Sequence, residues 1–263
     1  MITASGFSLV GRTALVTGAG SPDGIGYASA MLLGQHGARV AITSTTDRIF
    51  ERRTQLEKAG IESAAFTADL TLESEAHGVV EGAIDALGSI DILVNSAGMT
   101  SVSAPGTSEA GDLPGMSLDA WRTALARNLD TAFLLIRASL PPMVERGWGR
   151  IINIASVTGP LMAMRHEPAY AAAKAGLVGL TRSVALDYAR HGVTANAIAP
   201  GWIGTASQTD HEAEQGLATP AGRSGAPVEI AGAVAWLASP LAGYITGQCI
   251  TIDGGNAIAE ERG

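Results

Sequence analysis

Short apolar runs alternate with helical stretches along the whole chain, and this alternation restricts the fold more than any single motif. Residues 12–17 read as a strand that runs straight into a glycine loop, Gly18 to Gly26. An alanine-rich helical pattern follows through Ala28, Ala30, Met31, Leu32 and Leu33, with His36-Gly37 as its stop, and residues 39–43 form a second strand. Strand, glycine loop, helix and strand within about 30 residues is a βαβ unit. Its glycines permit a tight turn and let backbone N–H groups approach a pyrophosphate at the positive end of the helix. The pattern continues with a helix over 49–59, a strand over 64–70, a helical stripe of Ala76, Val79, Val80, Ala83, Ile84 and Leu87, and a strand over 90–94. Residues 99–115 read as a loop, and Ser117 caps a helix that runs towards Leu140 until Pro141-Pro142 interrupts it. A strand at Ile151, a helix around Lys174, a strand over 193–199, a helix from Pro227 and a strand over 250–253 complete the chain; 202–223 shows no strong periodicity. The prediction is an α/β fold: a single-domain Rossmann-type doubly wound parallel sheet of about seven strands with helices on both faces. One domain spans 1–263, with a first half over about 10–115 and a second over about 116–263.

Composition narrows the partners. The 263 residues are 46% hydrophobic and 16% charged, enough for one large core, and the net charge is −8. The 17 basic residues form no long cluster, so nucleic acid and anionic membranes are poor candidates. No apolar run reaches the roughly 20 residues of a membrane helix, and the N-terminus lacks a signal-like pattern, so a cytoplasmic setting is expected. Cys249 is the single cysteine, which rules out an intrachain disulfide; its apolar surroundings predict inert burial. The five histidines show no zinc-ligand spacing, and His166 alone is placed to line a pocket.

Gly18, Asp69, Asn95, Ser156 and Pro200 all fall at or just after predicted carboxyl ends of strands, where ligands of such sheets bind. Tyr170 and Lys174 are four apart on a helix and share one face. A neighbouring ammonium favours the ionised form of a phenol, which suits Tyr170 to general acid–base work, and Ser156 can donate to the same oxygen. Taken alone, such a pair is more often structural, with the lysine stem covering apolar neighbours.

In this order, the glycine loop, Asn95-Ser-Ala-Gly98, Asn128, Ser156, Tyr170-x-x-x-Lys174, Pro200-Gly201, Tyr244-Ile-Thr-Gly-Gln248 and Asp253-Gly-Gly255 make the chain resemble the short-chain dehydrogenase/reductase family over essentially its whole length. The resemblance implies that Tyr170 is the proton donor and acceptor and that Lys174 binds the nicotinamide ribose and lowers the tyrosine pKa. Ser156 would hold the substrate oxygen and Asn128 anchor a water, although Asn128 also suits a helix-bend hydrogen bond. Gly18, Ser21, Gly24, Ile25 and Gly26 would meet the pyrophosphate, and Asp69-Leu70 would flank the adenine. Asn95, Ala97 and Gly98 would border the cofactor, with Pro200, Gly201 and Ile203 along the nicotinamide and Thr205 near the phosphates. Three departures stand out. Two extra residues lie between Gly18 and Gly24, so the Ser-Pro-Asp stretch should bulge outward; Ser96 replaces the usual asparagine; and the Ser156–Tyr170 spacing is one residue longer. Ser44 stands where an NAD-preferring member carries an acid, and Ser44, Thr45 and Arg48 are compatible with a 2′-phosphate. NADP is therefore favoured, with NAD kept open by Asp47. The implied activity is NADP(H)-dependent ketone/alcohol interconversion similar to 3-oxoacyl-acyl-carrier-protein reductases. The alternatives are a catabolic dehydrogenase of a small alcohol, sugar or steroid, and a non-catalytic nucleotide-binding regulator. Family members are commonly homotetramers, built here on 118–140, 168–188 and the last strand.

Overall fold

The computed structural model describes residues 4–98 and 110–260. Seven strands, β1 (Thr13–Val16), β2 (Arg39–Ser44), β3 (Ser63–Thr67), β4 (Ile92–Asn95), β5 (Gly149–Ile154), β6 (Val193–Pro200) and β7 (Cys249–Ile252), form one sheet in the order β3-β2-β1-β4-β5-β6-β7. Every neighbouring pair is parallel. The helices are α1 (Ile25–Gln35), α2 (Arg48–Lys58), α3 (Glu73–Leu87), α4 (Leu118–Leu125), α5 (Thr131–Glu145), α6 (Pro168–Tyr188), α7 (Asp210–Leu217) and α8 (Pro227–Ala238).

Strand side chains alternate between two apolar layers. Ala14, Val16, Ile42, Ile152 and Ile154 pack with Leu33, Ile49, Leu56, Ile230 and Val234 of α1, α2 and α8. Leu15, Ala41, Leu93 and Ile151 pack on the opposite face with Val79, Val80, Leu135, Met143 and Val184 of α3, α5 and α6. Burial on both faces explains why these strands read as continuous apolar runs. The strand order reverses between β1 and β4, which opens a crevice at their carboxyl ends. The chains there are in close contact: Gly18 adopts φ 66°, and a Cβ on it would lie 2.6 Å from the Ser96 carbonyl oxygen.

Three expectations are corrected. Pro141 and Pro142 do not end the helix; both lie inside α5, which continues to Glu145. Each removes an N–H from the ladder, but the extra turn buries Met143 completely, and the Met143 carbonyl accepts from Trp148 N at 3.1 Å. The segment over 202–223 is not irregular throughout, since it contains α7. A capping box starts that helix: Thr209 Oγ1 accepts from Glu212 N at 3.2 Å, and a Glu212 carboxylate oxygen accepts from Thr209 N at 2.7 Å. Cys249 is half-buried rather than enclosed, because β7 is an edge strand, and its thiol pKa is raised by desolvation. Ser117 caps α4 as expected, its Oγ accepting from Ala120 N at 3.1 Å. Of the predicted loop over 99–115, residues 99–109 lie outside the described residues. Among the described residues, no helix is long and apolar enough to cross a membrane, and no group of three or more metal-ligating side chains forms.

Candidate active site

The centre of the site lies just beyond β5. Ile154 closes the strand and Ser156 follows two residues later, where its Oγ accepts from Thr158 N at 3.1 Å. This local turn holds the hydroxyl at the sheet edge. α6 begins at Pro168, a residue suited to the first helical turn, and presents Tyr170 and Lys174 on one face. A Ser156 hydrogen bond reaches the Tyr170 side chain. Lys174 is 4% exposed and donates from Nζ to the Ile154 carbonyl at 3.0 Å, with Nζ 5.6 Å from the Tyr170 ring centroid.

The electrostatics differ from the expectation that Lys174 lowers the tyrosine pKa. The Tyr170 phenol is pushed up to about 12, first by burial, with the Ser156 hydrogen bond opposing and the Glu167 and Glu212 carboxylates adding to the rise. Tyr170 as a whole is half-buried. Burial pushes Lys174 down to about 8. The lysine is docked on the last carbonyl of β5; the groups that move the phenol are Ser156, Glu167 and Glu212, beside burial.

Asn128 sits in a π-helical turn, Ala126–Asp130, between α4 and α5, and is 1% exposed. Its Nδ2 donates to the Ala124 carbonyl at 3.0 Å, the bond of a bent helix. The same side chain also reaches the site. A Cβ on Gly98, whose φ is 151°, would lie 2.9 Å from Asn128 Oδ1 and 3.2 Å from Lys174 Nζ. Gly98, Asn128 and Lys174 are thus packed together at the exit of β4.

Three residues that sequence reasoning did not single out support this arrangement. Thr17 Oγ1 accepts from the backbone N–H groups of Ser96 and Ala97 at 3.0 and 2.9 Å, orienting the β4 exit. Asn95 Nδ2 donates to Asn153 Oδ1 at 2.8 Å, and Asn153 Nδ2 donates to Thr181 Oγ1 at 2.8 Å. A lone amide within the apolar run of β5 was the available signal, since a fully buried Asn153 needs partners.

The remaining predicted residues spread along the same edge of the sheet. Ser21 and Gly24 are joined across a turn, Gly24 N donating to the Ser21 carbonyl at 3.2 Å, with Pro22 and Asp23 exposed, so the insertion bulges outward as expected. Gly24 then leads into Ile25 and Gly26 at the start of α1. Pro200 is the last residue of β6, and its carbonyl accepts from Val157 N at 3.0 Å. Gly201 N donates to the Ile252 carbonyl at 3.0 Å, Ile203 packs against the core, and Thr205 Oγ1 pairs with Ser207 Oγ at 3.0 Å. Asp69 is turned into its own loop, its carboxylate accepting from Thr71 N and Oγ1 at 3.0 and 2.7 Å, while Leu70 is buried in the core. Ser44 is likewise engaged locally, donating to the Thr46 carbonyl at 2.8 Å, and Thr45 beside it is exposed. His166 is exposed with φ 63°, and its carbonyl accepts from Gly111 N at 2.7 Å.

The crevice fits a dinucleotide. Cβ atoms added at Gly18, Gly20 and Gly26 would lie 2.6 Å from Ser96 O, Arg48 Nε and Gly18 O, so side chains are excluded where a pyrophosphate would approach. α1 starts after Gly24 without a side-chain cap, which leaves its first N–H groups for an anion. Arg48 lies against Gly20 and Ser44, and its buried Nε has no hydrogen-bond partner among the described residues.

Comparison with known proteins agrees with this geometry. The family described as Enoyl-(Acyl carrier protein) reductase matches residues 18–257. The 3-oxoacyl-[acyl-carrier-protein] reductase FabG of Vibrio cholerae is 40% identical over 252 residues, covering 94% of this chain and 98% of that protein. Nodulation protein G of a Rhizobium species is 39% identical over 256 residues, covering 96% and 99% of the two chains. The crystal structure of a dehydrogenase/reductase from Sinorhizobium meliloti superposes with a TM-score of 0.86 at 35% identity, covering 97% of this chain and 98% of that one. The chain belongs to the short-chain dehydrogenase/reductase family and is an oxidoreductase acting on CH–OH and C=O groups.

Proposed function

We propose that the protein is an NADP(H)-dependent ketone reductase whose substrate is a 3-oxoacyl thioester. The observation that carries this reading is the meeting of Ser156, Tyr170 and Lys174 at one point beyond β5. When bound, a nicotinamide cofactor supplies or accepts the hydride. Tyr170, kept protonated by a pKa near 12, gives its proton to the developing alkoxide. Ser156 Oγ donates to the same oxygen before and during that transfer. Lys174, with a pKa near 8, is about nine-tenths protonated at pH 7 and keeps a positive charge beside the phenolate as it forms.

Pro200, Gly201, Ile203 and Thr205 would border the cofactor on the β6 side, and Asn95, Ala97 and Gly98 would do so beneath it. NADP is favoured over NAD because Arg48, more than Ser44, stands at the β2 exit with an unpaired Nε. Asp47 is turned away, accepting from Thr67 Oγ1 at 3.2 Å. The names of the FabG relatives support the thioester substrate. One hydroxyl pair aimed at one oxygen suits a carbonyl better than the carbon–carbon double bond of an enoyl substrate. A cytoplasmic homotetramer is part of the same reading.

The test is oxidation of NADPH and NADH with an acetoacetyl thioester and a panel of cyclic ketones. Thioester turnover with NADPH is expected, and Arg48→Ala should raise KM for NADPH about tenfold while leaving NADH unchanged. Turnover of cyclic ketones alone, or with NADH alone, would replace this reading with a catabolic dehydrogenase.

A further inference from the structure

Between Ser156 and Tyr170 the chain is held at both ends, and the residue that holds the far end has no role in the proton transfer. Near the start, Gly159 adopts φ 103°, and a side chain there would collide with the Ala171 carbonyl of α6. Gly159 N donates to the Met162 carbonyl at 2.8 Å and Met162 N to the Val157 carbonyl at 2.9 Å, so the loop folds back on itself. The other end turns on His166. Among the described residues it is the only non-glycine with a positive φ, 63°. That left-handed region is uncommon for residues other than glycine and close to excluded for β-branched ones. His166 is exposed, so no burial of its ring offsets the conformation. What the turn gains is a backbone bond: the His166 carbonyl accepts from Gly111 N at 2.7 Å.

This bond joins two walls of the site. Gly111 lies in the segment that leads into α4, and α4 runs into the turn that carries Asn128. His166 stands two residues before Pro168, the first residue of α6, and Tyr170 follows in that helix's first turn. Glu167, between them, is the N-cap, and its carbonyl accepts from Ala171 N at 3.0 Å. The direction in which the chain leaves His166 therefore sets where Tyr170 stands relative to Ser156. The stretch is one residue longer than the family's usual spacing, and one left-handed residue is a common way for a chain to absorb an extra position. We infer that His166 is a positioning residue: its left-handed backbone clips the substrate loop to Gly111 and so fixes the entry of α6 and the reach from Tyr170 to Ser156. The inference rests on the reading of Ser156 and Tyr170 as the reacting pair. The backbone conformation carries the role and the imidazole does not.

The test compares His166→Gly, His166→Asn and His166→Val in the full chain, on whichever ketone of the panel the wild type turns over best. His166→Gly and His166→Asn keep the turn and should keep kcat within about twofold. His166→Val is forced out of it and should lower kcat about ten- to hundredfold. KM for the nicotinamide cofactor and the urea midpoint should stay near those of the wild type. Gly111 supplies a second route, since a Cβ there meets nothing within 4 Å. Gly111→Ala should be neutral, whereas Gly111→Pro deletes the donor and should reproduce the loss seen in His166→Val. Both act on one bond, so the double variant should lose no more than either single one. The inference is overturned if His166→Gly and His166→Asn fail as His166→Val does, which would put the imidazole itself to use. It is equally overturned if His166→Val lowers only the unfolding midpoint, or if the losses multiply in the double variant. Tyr170→Phe, run alongside, separates the two readings. If it keeps its turnover, the reacting pair fails and the clip with it; if it is inactive while His166→Val matches the wild type, the clip alone fails.

Discussion

Lys174 and Arg150 are both buried cations held on carbonyl oxygens of the same region of chain, one at each end of β5. Lys174 caps the strand's last carbonyl, while Arg150 bonds to Gly149 and Gly192 at its start. Burial lowers the pKa of both, to about 8 and about 10. The consequences differ because the chemistries differ. A lysine near 8 can change protonation in the working pH range and can tune a neighbouring phenol. An arginine near 10 stays charged throughout that range. Similar burial thus yields a titrating group at one end and a fixed charge at the other.

The largest expected effect breaks the catalytic end alone. Tyr170→Phe should lower kcat by about 10²–10⁴-fold while leaving the urea unfolding midpoint near that of the wild type. Retained turnover would remove Tyr170 from the chemistry.

The next tests the contrast between the two cations directly. The folded pKa of Lys174 is depressed from 10.5 to about 8, so between these values the unfolded chain holds more protons. Stability should therefore rise with pH from about 8 towards 10, by roughly 2–3 kcal/mol, and the desolvation cost is complete below 8. Lys174→Met should abolish this slope in urea titrations at stepped pH, whereas Arg150→Met should preserve it. The chain has only two lysines, Lys58 and Lys174, so in a nitrogen NMR titration the signal lost in Lys174→Met identifies Lys174, and its midpoint should lie near 8.

A smaller effect belongs to the polar chain through the middle of the strand. Asn153→Ala leaves Asn95 Nδ2 without its acceptor and Thr181 Oγ1 without its donor, and should cost about 1–3 kcal/mol by chemical denaturation. A neutral result would mean that this chain positions the site without stabilising the fold.

The smallest effects should move the pH profile of alcohol oxidation in opposite directions. Ser156→Ala removes the hydrogen bond that lowers the Tyr170 pKa, and Glu167→Gln removes a carboxylate that raises it. The limb on which oxidation rises with pH should move to higher pH in the first variant, which also loses rate, and to lower pH in the second. Movement in the same direction in both would show that Tyr170 does not set the limb.

Much of the architecture was legible because its signals are local. The apolar runs of β1, β4, β5 and β6 are short, bounded by turn residues and rich in β-branched side chains. The Tyr170–Lys174 spacing declares a helical face. The Ser117 cap and the outward turn at Pro22-Asp23 follow from the same local chemistry. α7 was also written locally, in Thr209-x-x-Glu212, but its few apolar residues hid it behind a polar composition. Pro141-Pro142 misled for the opposite reason: a strong local breaker was overridden by the burial of Met143. Thr17, Asn153 and Thr181 escaped notice because their partners lie 79, 58 and 28 residues away in the chain.

Sequence alone determined the alternation and the parallel sheet and put Tyr170 and Lys174 on one helical face, since these rest on period, spacing and side-chain type within a few residues. The reading of Ser156, Tyr170 and Lys174 as a site came from the resemblance to the family. Tertiary structure decided the charge states and the orientation of the groups. It docked Lys174 on Ile154 and raised Tyr170 by burial, and it turned Arg48 rather than Asp47 towards the glycine loop. It also brought Arg12 and Arg146 together on the Asp91 carboxylate and set Arg150 on the Gly149 and Gly192 carbonyls. A pKa and a counter-ion depend on what surrounds a group in space, and the atoms that surround these groups come from distant parts of the chain.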